Sequence, residues 1–208
     1  MITTHKDQRK PGNREKLLLA AQACLRDTGY ARTTARDLVA ESGTNLNSIG
    51  YHFGSKDGLM SEAIAAGFEE WMADVERSAF AEDAADSVER LQRLLQATID
   101  RFEELRPFLV AFVEAFPPAV RSDGLRDRMA SAYDDVRRAG ADMVQRAVEI
   151  DGVDMSREHA ETLASLITAA CDGFILQWLL EPRRVPTSDQ VMAALAAAGP
   201  AVTHWRGR

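Results

Sequence analysis

Residues 33–59 read TTARDLVAESGTNLNSIGYHFGSKDGL, and this stretch decides the fold. Its apolar residues recur at helical spacing: Leu38 and Val39 in a first segment, Leu46, Ile49 and Phe53 in a second. Thr33-Thr34 with Asp37 is a helix-start signal. Gly43-Thr44 makes the turn between the segments, and Gly54-Ser55 ends the second. Two short helices joined so tightly form a helix-turn-helix, a motif that lays its second helix in the DNA major groove, N-terminal residues against base edges. Those residues are Thr44, Asn45, Leu46, Asn47 and Ser48. Asn45 and Asn47 each carry a donor and an acceptor, the pair that reads adenine bidentately or binds phosphate. Tyr51, His52 and Lys56 suit phosphate oxygens, helped by the positive end of the helix that Ser55 opens. The bland alternative is a short polar helix that is merely solvated, and a helix-Gly-helix pattern alone does not exclude it.

Helical periodicity continues in both directions. Upstream, Asn13 is the expected N-cap of a helix whose stripe Leu17, Leu18, Ala21, Cys24 and Leu25 closes at Thr28-Gly29. A basic, polar tail, residues 1–12, reads as disordered. Downstream, a long helix runs from Ser55 through Leu59, Ala63, Ile64, Phe68 and Met72. Ser87 to Leu105 puts Val88, Leu91, Leu95, Ile99 and Phe102 on one face, and a short aromatic helix lies between Pro107 and Pro117-Pro118. A seam from Leu125 to Ile150 is spaced by threes and fours. A helix capped by Ser156 runs to Glu181, and a last one spans Thr187-Ser188 to Ala198. No strand pattern or internal repeat interrupts this series. The expected class is all-α: a three-helix N-terminal domain over 13–60, its helix-turn-helix at about 34–53, then a helical bundle over 61–208.

The 208 residues are 46% apolar and 27% charged, ordinary for a globular protein with a sizeable core. Cys24 and Cys171 are too few and too far apart for a disulfide framework or a Cys-rich zinc site, and fit a reducing cytoplasm. Leu17 to Leu25 follows basic residues, but Gln22 interrupts it and no small-residue cleavage site follows, so it does not read as a secretory signal. Leu163 to Leu180 is an apolar run with Asp172 in its middle, a costly residue in a bilayer; it reads as a helix buried in protein. The net charge of −7 is unevenly spread: residues 1–60 hold nine Lys/Arg, all four Lys among them, against six acids. Only the N-terminal end suits a polyanion, and the acidic remainder would turn away from it.

Thr33 to Gly43, followed by Ile49 to Leu59 with its YHFGSKDGL, resembles the TetR family of transcriptional regulators; Ala20-Ala21 and Gly29-Tyr30 also match. The resemblance covers residues 13–60 and implies a DNA-binding domain. It implies Thr34 at a cap facing phosphate and Arg36 near the groove. Leu46, Asn47 and Ser48 would face bases, Tyr51 and His52 bases or backbone, and Lys56 phosphate. Asn47 stands where the family often has Gly, and Gly50 where it often has Tyr, which removes one expected contact. The resemblance also implies a body that dimerises and senses a ligand, with repression relieved by a small molecule.

Helix 163–180 is apolar nearly all round and needs cover on more than one side, which a homodimer provides. Ala169, Ala170 and Gly173 would allow close approach, with Phe174 and Trp178 as anchors. Residues 172–182 are themselves family-like, at a place where many relatives pair their last two helices with a symmetry mate. Two-fold symmetry sets recognition helices ~34–36 Å apart, or a multiple, over an inverted-repeat operator in double-stranded DNA. Trp71, Phe102, Phe108, Phe112, Phe116, Met129, Tyr133 and Met143 are candidate walls of a pocket for a small apolar or aromatic effector. Met and aromatic residues at helical spacing are as readily plain core.

The histidines at 5, 52, 159 and 204 lack paired metal-ligand spacing, and no nucleophile elbow, phosphate loop or dinucleotide fingerprint occurs. No catalytic residue, metal or cofactor is therefore assigned. Two rivals stand beside a regulator: a helical-bundle enzyme or lipid carrier, and a protein–protein adaptor without DNA binding. Neither has an operator, whereas a regulator's affinity falls steeply with salt.

Overall fold

Local caps set most of the helix starts in the computed structural model, which describes residues 11–203. The expected tail lies outside the described residues except for Pro11 and Gly12. Helix α1 (Asn13–Asp27) is preceded by Gly12, so Asn13 is its first residue and not its cap. Gly29, at φ 85°, donates to the Cys24 carbonyl at 3.1 Å and closes α1 in a left-handed turn that favours glycine. Helix α2 (Ala35–Ser42) opens with a reciprocal box: Thr34 Oγ1 accepts from the Asp37 amide at 3.3 Å, and Asp37 Oδ2 accepts from the Thr34 amide at 2.8 Å. Gly43 turns the chain into α3 (Leu46–Phe53), and Ser55 caps α4 (Lys56–Ala79) by accepting from the Gly58 amide at 3.0 Å. Helices α5 (Ser87–Asp100), α6 (Arg106–Arg121), α7 (Asp123–Val148), α8 (Arg157–Leu180) and α9 (Ser188–Thr203) follow, with no strand among the described residues.

The head closes on Leu17, Leu25, Tyr30, Leu38, Ile49 and Phe53, together with Leu59 and Met60 from the start of α4. The same apolar cluster runs along α4 through Ile64, Trp71 and Val75 to Phe102, Phe112, Ile175 and Trp178. Helix α4 thus packs on α1 and α3 at one end and on α5, α6 and α7 at the other. A second, smaller cluster of Ala141, Val144, Ala160 and Ala164 holds α7 to α8. By length and composition α8 is apolar enough to cross a membrane, but one flank (Ala160, Ala164, Ile175, Trp178) is buried in protein.

Three boundaries differ from the sequence reading. Helix α5 stops at Asp100, so Phe102 lies in the turn beyond it, fully buried. Helix α6 passes through Pro117-Pro118 to Arg121. Those prolines cannot donate to the carbonyls of Val113 and Glu114, but they sit near the C-terminal end, where Ala115 and Ala119 are buried and the backbone stays helical. Helix α9 continues past Ala198, through Gly199-Pro200, to Thr203.

Helices α3 and α4 meet where only glycine fits. A Cβ on Gly58 would collide with the carbonyl oxygen of Phe53 and lie 3.3 Å from Arg128 Cζ. Gly58→Ala is therefore expected to lower stability by about 1–3 kcal/mol in urea unfolding, the range for overpacking a tight contact. Gly50→Ala is the control: nothing lies within 4 Å of its added Cβ, so the helix-interior substitution should stabilise by up to ~1 kcal/mol.

Candidate nucleic-acid interface and effector cavity

Helix α3 is anchored by Ile49 and Phe53, which leaves Leu46, Asn47, Gly50 and Tyr51 together on its open face. Leu46 is 52% and Tyr51 85% exposed, so neither side chain serves the fold. The Tyr51 ring stands edge-on to His52, centroids 4.8 Å apart, and His52 is half-buried. Thr34 and Arg36 are exposed on the first turn of α2.

Several expected DNA contacts are engaged within the head. Asn45 Oδ1 caps α3, accepting from the Ser48 amide at 3.0 Å and the Ser48 hydroxyl at 3.2 Å. Ser48 is 9% exposed, so it faces the fold and not a groove. The Thr34 hydroxyl donates to Asp37 at 2.7 Å, and Thr44 shares a 2.7 Å bond with Ser42. These Thr34 bonds hold the Asp37 carboxyl below its usual range, so the cap is charged at neutral pH. Lys56, assigned to phosphate from the sequence, donates Nζ to the Thr33 carbonyl at 3.2 Å, pairs with Asp57 at 3.3 Å and lies 5.1 Å from the Tyr30 ring centroid. Its charge fastens the α1–α2 corner to α4, together with the Tyr30 hydroxyl, which donates to Asp57 at 3.2 Å.

Two large cavities adjoin α4 in the body. The first, about 330 Å³, is walled by α4, α6, α7 and α8; the second, about 300 Å³, adds α5 and α9 and is almost wholly apolar. They share Phe68, Met72, Val136, Met143, Thr168 and Asp172 and so form adjoining chambers. Of the expected wall residues, Phe112, Met129, Tyr133 and Met143 line the first chamber, and Trp71 and Met143 the second. Three lie elsewhere. Phe102 is fully buried between Trp71 and Trp178, ring centroids 6.0 and 5.7 Å away. Phe108 covers Gly67, where a Cβ would come within 2.5 Å of its ring, beside a smaller cavity of about 110 Å³. Phe116 packs behind Phe112 at 4.9 Å and is 37% exposed.

Sequence reasoning missed Ser61, Arg128 and Asp172 as wall residues, and only Asp172 carried a signal, as the lone acid of an apolar run. The Tyr133 hydroxyl donates to Asp172 at 2.7 Å. Burial pushes the Asp172 carboxyl above its usual range, against the lowering effect of that bond. Burial, then the Asp172 charge, pushes the Cys171 thiol up to about 12, and burial also raises Cys24, so both thiols stay protonated at neutral pH. Among the described residues no group of His, Cys, Asp or Glu comes together to hold a metal ion.

Among the described residues, two hydrogen bonds tie helices α6 and α7 to the head. Arg128, on the wall of the first chamber, donates Nη2 to the Phe53 carbonyl at the end of α3, at 3.3 Å. Glu114 of α6 accepts from the Ala31 amide at 3.0 Å. On the far side of the body, α8 presents Leu166, Ala169, Gly173, Leu176 and Leu180, spaced 3, 4, 3 and 4 along the chain. Leu166 is 66%, Leu176 50% and Leu180 87% exposed. Ala170 is exposed beside them, while Phe174 is half-buried against the core. Trp178, expected to anchor an interface, points the opposite way: it is 7% exposed, packed on Phe102 with the Arg106 guanidinium 4.3 Å from its ring centroid.

Comparison with known proteins agrees with this layout. The family model described as bacterial regulatory proteins, tetR family, matches residues 17–63, and that for the C-terminal part of BetI-type transcriptional repressors matches 87–199. The HTH-type transcriptional repressor KstR2 of Mycobacterium tuberculosis is 32% identical over 90 residues, 43% of this chain and 44% of its own length, so the match spans less than half of that repressor. The HTH-type transcriptional regulator LmrA of Bacillus subtilis is 25% identical over 181 residues, 84% of this chain and 90% of that one. A transcriptional regulator from Saccharomonospora viridis, solved in complex with choline, superposes with a TM-score of 0.60 at 26% identity, covering 92% of this chain and 95% of that one. A regulator from Rhodococcus sp. RHA1 shares the fold with a TM-score of 0.71 at 18% identity over 89% and 94% of the two chains. With one match on the helix-turn-helix head and another across more than half the chain, this protein belongs to the TetR family.

Proposed function

We propose that the chain is a homodimeric, sequence-specific repressor. It binds an inverted-repeat operator in double-stranded DNA and releases it when a small molecule fills the chambers beside α4. The observation that carries this reading is the open face of α3, where Asn47 and Tyr51 are exposed on a helix whose other side is pinned into the head. In this reading residues 13–60 are the DNA-binding domain, and Asn47 reads base edges with Leu46 and Tyr51 beside it. Arg36, His52, Thr34 and Thr44 sit against the backbone, while Asn45, Ser48 and Lys56 act by shaping the helix that does the reading. The protein works in the cytoplasm by binding, not catalysis.

Dimerisation and ligand release both draw on the body, residues 61–208. The exposed α8 stripe is an apolar face of coiled-coil spacing that a second copy would cover. An effector shifts the equilibrium only by preferring one geometry of the head over another. The Arg128 bond supplies a route, since a molecule in the cavity that displaces Arg128 withdraws the donor from the last carbonyl of α3. The regulator solved with choline supports a body of this fold as a small-molecule binder.

Selection from a random DNA pool should return an inverted repeat, with affinity that falls as salt rises. Failure of a folded protein to enrich any sequence overturns the reading. On the selected site, Asn47→Ala should narrow the gap between specific and random DNA, whereas Arg36→Ala should weaken both alike and reduce the salt slope by about 1. Leu176→Glu together with Leu166→Glu should convert a dimer into monomers in sedimentation analysis and lower operator affinity with it.

A further inference from the structure

Asp172 sits at the junction of the two chambers, and among the described residues its only hydrogen bond is the one from Tyr133. No Lys, Arg or His among the described residues pairs with it. A charge in an apolar site without a partner is costly, so such a carboxylate favours a ligand that brings the missing charge. Of the other charges on the first chamber, Glu76 pairs with Arg146, Asp135 pairs with Arg138 and Glu69 is exposed, while the cation on its wall, Arg128, is turned toward the Phe53 carbonyl. Phe68 and Phe112, ring centroids 4.8 Å apart, add the aromatic faces that attract cations. A second observation is independent of charge: Ser61, 7% exposed on the chamber wall, has a buried hydroxyl with no hydrogen-bond partner.

We propose that the effector is an amphiphilic organic cation whose ammonium group pairs with Asp172 in the first chamber, within reach of the Ser61 hydroxyl, and whose apolar tail fills the second. The second chamber sets the tail requirement, because Leu91, Leu95, Leu163, Val191 and Leu195 offer an incoming group no charge to meet. This deepens the ligand-responsive reading of the body and rests on it. A cation at Asp172 shares the chamber with Arg128, so its charge acts on the side chain that bonds the Phe53 carbonyl.

The test titrates the full-length protein with 4-phenylbutylamine, 4-phenylbutanol, 4-phenylbutyrate and choline, read by calorimetry and by release of its selected operator. The amine should bind more than about tenfold tighter than the alcohol or the acid, and more than about tenfold tighter than tailless choline. Asp172→Asn keeps the shape and a partner for Tyr133, and should abolish the preference for amine over alcohol; Ser61→Ala should weaken the amine severalfold. Equal binding of amine and alcohol by the native protein, which needs no variant to fold, overturns the proposal. So does tightest binding by the acid, or choline matching the amine. If none of the four binds, the proposal also fails. Operator binding without any ligand, measured on the same sample, reports separately whether the repressor reading stands.

Discussion

The close approach of Gly58 to the carbonyl of Phe53 fixes the angle at which the recognition helix leaves α4, and much else in the molecule hangs on that corner. Gly54, at φ 78°, makes the turn, Ser55 caps the new helix, and Arg128 reaches in from α7 to the same carbonyl. On the other side of the head, Lys56 and Asp57 hold Thr33 and Tyr30, so the first turn of α4 also fixes where α2 begins. A single turn of helix thereby sets both members of the helix-turn-helix relative to the body. Rigid placement of this kind is what base reading requires, since phosphate contacts fix register only if the reading helix has one orientation.

The head was legible in the sequence because its signals are local. The Thr34–Asp37 box, the left-handed Gly29 and Gly43, and the Leu38, Ile49, Phe53 spacing all depend on residues within a few positions of one another. What was not legible was which polar groups the head spends on itself. Asn45 and Asn47 look alike in sequence, yet one is a cap and the other an open side chain, and only the phase of α3 separates them. Lys56 reads as a phosphate ligand until Thr33 and Tyr30, some twenty-five residues away in sequence, are seen beside it.

The body was legible as helices and much less so as surfaces. Helix 163–180 is apolar nearly all round, so hydrophobicity could not say which side faces the core. The packing of Phe102 and Arg106 around Trp178 settles it, leaving the small residues and three leucines of α8 as the open face. Phe102 itself was placed on a helix face because a periodic pattern gives no sign that the helix has already ended. The continuation of α6 past its prolines has the same origin, since burial of Ala119 is a tertiary fact.

Asp172 shows how one residue can satisfy two readings of the same run. As a charge in the middle of an eighteen-residue, largely apolar run it argues against a lipid environment. Packed between α7 and α8, it is no longer an exception to a core but the polar point of a cavity that the core leaves open. Tyr133 orients the carboxylate without neutralising it, and burial raises the cost of its charge. Among the described residues no side chain fills that electrostatic deficit, and the cavity wall that carries it also carries the arginine that bonds the end of α3. A molecule that fills that deficit changes the field acting on Arg128. The part-buried bond from Arg128 to Phe53, at 3.3 Å, is the contact through which such a change would reach α3.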